Sequence, residues 1–140
     1  MKRKERTEIL IEGNKELRER IASQIEKSSE VDIVQPSEQV LAMIRMRENS
    51  KRAIFNLGEV LVTRTVVKVN NQFGTGIIVG QNPQASYELA LIDAAFTSGW
   101  NETKQWVKWL KEEKEKITER KKEKAARILQ TKVNFSTMEE

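Results

Sequence analysis

Three features of the sequence predict an α+β fold: an antiparallel sheet of about four strands covered by helices, with a long C-terminal surface helix and a strand-like tail. Residues 55–69 form an unusually long run rich in Val, Thr and Leu, the residues that favour a pleated, half-buried surface. Residues 83–97 are apolar on most sides, as expected of a helix buried more than half way round. Residues 102–129 carry apolar side chains at the two ends and almost nothing but charge between them. A chain of 140 residues supports one modest core. A single domain over residues 1–140 is therefore predicted.

The elements follow in order. Residues 7–27 place Leu10, Leu17, Ile21 and Ile25 at helical spacing, with Ser28-Ser29 as an end. Gly13, which costs about 1 kcal/mol against alanine inside a helix, predicts a break or a close helix contact at Gly13-Asn14. Residues 30–35 read as a short extended piece, Pro36-Ser37 as a turn, and residues 40–46 as a strand, with a short helix from Ser37 as the alternative. The polar run from Arg47 to Arg52 turns the chain back into residues 55–69. There Gly58 permits a bulge, and alternation sets Val60, Val62, Arg64, Val66 and Lys68 on one face against Leu61, Thr63, Thr65, Val67 and Val69. Asn70-Asn71 tolerates the positive φ of a hairpin turn, and residues 75–79 form the next strand.

Asn82 then suits a helix N-cap and Pro83 a first helical position. In that helix Asp93 lies past the middle, at the margin of the Leu89 and Phe96 face, where a buried carboxylate needs a partner. Arg64, set among valines, needs one too. A buried pairing of Arg64 with Asp93 or Glu59, joining strand to helix, is the expectation. Trp106, Trp109, Leu110 and Ile117 open the last helix and Ile128 and Leu129 close it. Residues 131–138 alternate Val133, Phe135 and Thr137 against Asn134, Ser136 and Met138, which predicts an edge strand or a docking tail.

Composition narrows the chemistry. The absence of histidine and cysteine removes imidazole bases, thiolate nucleophiles and the usual structural zinc sites. Carboxylates, lysines and Tyr87 remain, without a recognisable catalytic spacing. No apolar segment suits a signal peptide or a membrane span, so a cytoplasmic protein that does not engage a membrane is expected. The formal net charge of +4 is small because glutamates offset most of the lysines. Nucleic acid binding through the N-terminal basic run and the 108–127 region is the alternative reading, and the interleaved glutamates weaken it.

Phe55-Asn56-Leu57-Gly58-Glu59, then Thr63-Arg64, Gly80, Ala90-Leu91-Ile92-Asp93-Ala94, and finally Val133-Asn134-Phe135-Ser136-Thr137-Met138 occur in one order along the chain. This series resembles the PhnG subunit of the bacterial carbon-phosphorus lyase core complex over nearly the whole length. The sequence departs from the family pattern at Gln81, Asn82 and Ala85, where the family usually carries Arg-Asp and a histidine.

The resemblance implies a non-catalytic or accessory subunit of a phosphonate-assimilating transferase assembly. That assembly uses MgATP, replaces its adenine with methylphosphonate and forms a ribose methylphosphonate triphosphate. The implied partners are a nucleosidase-like I subunit, the H and J subunits and the L subunit, and the chain itself is expected to bind no cofactor or metal. Asn56, Gly58, Glu59, Thr63, Arg64 and Asp93 are then the structural or functional candidates, and Val133, Phe135, Thr137 and Met138 the partner-binding ones. A third reading makes Glu59, Arg64 and Asp93 a cluster handling a phosphate-bearing substrate.

Overall fold

A computed structural model describes the backbone of residues 1–47 and 54–139, and their side chains except at 44–47, 54–57 and 130–139. The elements are α1 (Arg3–Glu12), α2 (Lys15–Ser28), β1 (Val31–Arg47), β2 (Ile54–Val69), β3 (Gln72–Val79), α3 (Pro83–Ser98) and α4 (Thr103–Glu139). The strands form an antiparallel meander in the order β1-β2-β3. Helix α3 lies on one face of β2 and β3, and α1, α2 and the first half of α4 cover the outer side of α3.

The first helical region is broken where Gly13 predicts it. A Cβ at Gly13 would lie 2.6 Å from Glu113 Cγ, so the missing side chain admits α4 to the junction. Asn14 caps α2 by accepting from the Glu16 N–H at 3.1 Å, and its own N–H donates to Glu113 Oε1 at 3.0 Å. Two glycines likewise decide how α3 meets the sheet. A Cβ at Gly74 would stand 2.2 Å from the Ala90 carbonyl, and one at Gly76 would stand 2.0 Å from the Ser86 carbonyl. The backbone of β3 and that of α3 therefore nearly touch. Ser86 uses the closeness, donating to the Gly76 carbonyl at 2.8 Å and lying 2.9 Å from Thr65 Oγ1.

Burial on both sides explains why α3 is apolar most of the way round. Ala85, Leu89, Ala90, Leu91, Ile92, Ala94 and Ala95 are all buried. Leu91 and Ile92, fully enclosed, each contribute about 1.5–3 kcal/mol of hydrophobic stabilisation. The helix starts as the sequence predicts, with Asn82 Oδ1 accepting from the Ala85 N–H at 3.2 Å and Pro83 in the first turn. Asn82→Ala is expected to lower stability by about 1 kcal/mol, read as an earlier urea midpoint with an unchanged slope.

Three features differ from the sequence-based expectation. The 30–35 and 40–46 segments are one strand, so the sheet has three strands where about four were expected among the described residues. Pro36 starts neither a turn nor a helix, because β1 is an edge strand whose outward positions need no N–H donor, and register shifts on either side of Gln35 absorb the irregularity. Secondly, residues 131–138 add no strand. Their backbone continues α4 to Glu139. Each residue added to an established helix gains one backbone hydrogen bond, so the 37-residue helix propagates through a segment whose short alternation suits a strand equally well. Thirdly, the pairing expected for Arg64 is not formed, as described below. The turn expected from Arg47 to Arg52 lies, beyond Arg47, outside the described residues.

Candidate functional site

The candidate residues of the sequence do not converge on one site. Thr63 and Thr65 face α3 together with Val67 and Val69, all buried. Thr63 Oγ1 donates to the Gly80 carbonyl at 2.6 Å and accepts from the Asn82 N–H at 3.2 Å, fixing the start of α3 on the sheet. Arg64 is on the opposite face. Its register partners are Glu38 and Ile77, and one guanidinium nitrogen donates to Gln35 Oε1 at 3.2 Å. Gln35 in turn donates to Glu38, so the carboxylate meets Arg64 only through the amide. The Nε of Arg64 is buried without an acceptor.

Asp93 lies on the α3 side, where α1 reaches it. Its carboxylate accepts from Arg3 at 2.9 Å, from Arg6 at 3.1 Å and from the Thr75 N–H at 3.0 Å. Arg6 is itself buried and stacks over the Phe96 ring at 4.3 Å. Loss of hydration lowers its guanidinium pKa and Asp93 opposes that shift. The expected tie between Arg64 and Asp93 is thus replaced by one between Arg6 and Asp93. Sequence reasoning missed Arg6 because the residues before Thr7 read as a solvated basic run. The available signal was its place three and four residues before Ile9 and Leu10, on the buried face of α1. A second buried pair, Arg18 to Glu88 at 3.2 Å, joins α2 to α3 and was not foreseen either.

Glu59 is exposed and opposite Met43, away from both charged groups. The Glu59, Arg64 and Asp93 cluster is therefore not assembled. Gly58 has φ +138° at the register shift between Ile44 and Arg45, so it provides the bulge that its sequence context predicts. Asn56 pairs in register with Arg45.

These residues belong to a projecting arm. Strand β3 ends at Val79, opposite Val62. Beyond that point, among the described residues, β1 and β2 continue as two strands alone, for roughly 25 Å at 3.3 Å per residue. Two strands without a covering layer bury too little to be stable by themselves in water. Yet Leu41 and Leu61 pair across the arm, and Met43 follows Leu41 on the same side, with Leu41 66% exposed. Helix α4 behaves similarly. Ile117 is its last buried residue among those described, and the backbone runs on to Glu139, roughly 33 Å at 1.5 Å per residue. Ile128 and Leu129 are exposed on this extension. Val133, Phe135, Thr137 and Met138 follow as positions of a helix.

The family model of the phosphonate metabolism protein PhnG matches residues 1–139. The chain belongs to the PhnG family. A comparison with curated proteins gave no match. The segment Phe55 to Glu59, which the PhnG resemblance emphasises, lies on the arm, whereas Thr63 and Asp93 lie in the body as packing joints. No described helix is long and apolar enough to cross a membrane. Among the described residues no group of three or more acidic side chains is placed to hold a metal ion.

Proposed function

We propose that this PhnG-family chain is an accessory, non-catalytic subunit of the carbon-phosphorus lyase core complex. In that role it supports transfer of the ribose triphosphate of MgATP to methylphosphonate with release of adenine. MgATP is a substrate of the assembly in this reading, and the nucleosidase-like I subunit is the direct partner, with the H, J and L subunits completing the machinery. The observation that carries the proposal is the arm: a two-stranded projection, uncovered among the described residues, with Leu41, Met43 and Leu61 exposed. Such a surface suits a permanent interface, where apolar area is buried against another chain. The separation of Glu59, Arg64 and Asp93 supports an accessory role over a catalytic one. The cations of α4 are partly neutralised, Lys114 by Glu5, Lys121 by Glu12 and Arg120 by Glu113, which supports a subunit over a nucleic-acid-binding protein.

Co-expression with tagged I subunit and the H and J subunits tests the reading. The chain should be retained through purification, and adding it with the L subunit should raise adenine release from MgATP and methylphosphonate. Leu41→Asp combined with Leu61→Asp should reduce retention at least tenfold, roughly the loss of one or two interface hot spots, while thermal unfolding of the isolated chain stays within a few degrees of wild type. A wild-type chain that stays monomeric beside the I subunit sinks the proposal.

A further inference from the structure

The face of the sheet opposite α3 carries information that the arm does not. On it the central strand places Arg64, Val66 and Lys68, and β3 places Phe73, Thr75, Ile77 and Val79 opposite them or beside them in register. Phe73, Ile77 and Val79 are exposed, Val79 by 68%. No helix layer covers this face among the described residues: α3 lies on the other side, and α1 comes near it only at the β3 edge, where Arg3, Thr7, Thr75 and Ile77 line one open pocket. A row of exposed apolar side chains around a half-buried arginine is the usual composition of an interface centre.

The arginine also carries an unmet requirement. Its Nε is shielded from water by the chain yet has no acceptor, and its contact to Gln35 is to a neutral amide. Lys68 lies two residues further along the same face and is 5.5 Å from the Phe73 ring centroid, with no carboxylate at ion-pair distance among the described residues. The acidic residues of this face, Asp32 and Glu38, are exposed on the edge strand β1. An incoming carboxylate above β2 would satisfy a guanidinium that is already partly desolvated.

Resting on the subunit reading, we propose that this open face docks a partner subunit presenting an aliphatic surface with one Asp or Glu directed at Arg64. A second copy of the chain is a poor occupant. A two-fold axis through β2 sets Arg64 against either Arg64 or Lys68 of the other copy, where like charges repel, and an axis between β1 and β2 offers it only Glu38, which Gln35 already engages. A flat face without an enclosing cavity equally lacks the walls that hold a small anion.

Photocrosslinking tests the proposal on the assembled complex. p-Benzoylphenylalanine replaces Phe73 in one preparation and Ile77 in another, with the chain co-expressed with the I, H and J subunits. Retention of the unlabelled chain reports the subunit reading, and the crosslinked peptide reports this face. The expected result is a crosslink to a partner subunit within reach of an Asp or Glu. Arg64→Met should then weaken retention at least tenfold and Arg64→Glu more, with isolated-chain melting unchanged within a few degrees. Exchanging that partner carboxylate for Lys should restore retention of Arg64→Glu. A retained chain that gives no crosslink from either position, or crosslinks only to another copy of itself, overturns the proposal. Wild-type chain that is not retained at all removes the subunit reading and this inference with it.

Discussion

Asp93→Ala is expected to cost about 3–5 kcal/mol of folding stability, because it leaves the Arg6 guanidinium buried against Phe96 without its counter-charge. Arg3 contributes little to that figure, since its side chain is 66% exposed and its pairing is screened by water. The Thr75 N–H loses its acceptor in the same variant and adds to the cost. Arg6→Met combined with Asp93→Leu should recover a large part of the loss, as replacement of a buried ion pair by packed apolar groups often does. A urea series on the four combinations measures this coupling. If Asp93→Ala melts like wild type, the buried pair is not a structural tie. The same cycle with Arg64→Met should be additive within about 0.5 kcal/mol, because Arg64 and Asp93 share no partner and lie on opposite sides of the sheet.

Gly76→Val should abolish the native fold. Even the first carbon of a side chain at that position stands 2.0 Å from the Ser86 carbonyl and 2.6 Å from the Ala90 nitrogen, both backbone atoms of a buried helix. Overpacking of a core commonly costs about 1–3 kcal/mol where side chains move aside; here α3 itself has to shift, so Gly76→Ala is expected to cost about 3 kcal/mol or more. A domain with roughly 5–15 kcal/mol in hand tolerates alanine poorly and valine not at all. Circular dichroism and the dispersion of amide resonances give the answer. Cooperative melting of Gly76→Val at the wild-type temperature would show that α3 sits further from β3 than described.

Both expectations concern residues whose importance the sequence showed only in part. Asp93 was legible as a buried acid in need of a partner, but the partner was sought on the nearby strand. The actual one, Arg6, is 87 residues away in α1. The closeness that Gly74 and Gly76 permit was not readable, because the carbonyls they approach belong to a helix ten or more residues later. Conversely, Gly58 at a bulge, the Gly13-Asn14 break and the Asn82-Pro83 helix start were all readable, since each depends on the φ or the side-chain oxygen of the residue itself. The left-handed Asn70 and Asn71, with φ of 47° and 68°, belong with them. The PhnG membership was legible too, from motifs spread along the chain.

By itself, then, the sequence determined the kind and order of most elements, the caps and turns between them, the double-sided burial of α3 and the lack of imidazole and thiol chemistry. These follow from propensity and periodicity, which act over about four residues. Tertiary structure alone decided that Arg6 answers Asp93, that residues 31–47 make one strand, and that residues 131–139 extend a helix. It also decided that Arg64 faces away from the core. A two-residue period divides a strand into two faces without saying which of them a helix will cover, and that choice fell to Gly74 and Gly76, the only positions where α3 comes close enough to exclude a side chain from the sheet among the described residues.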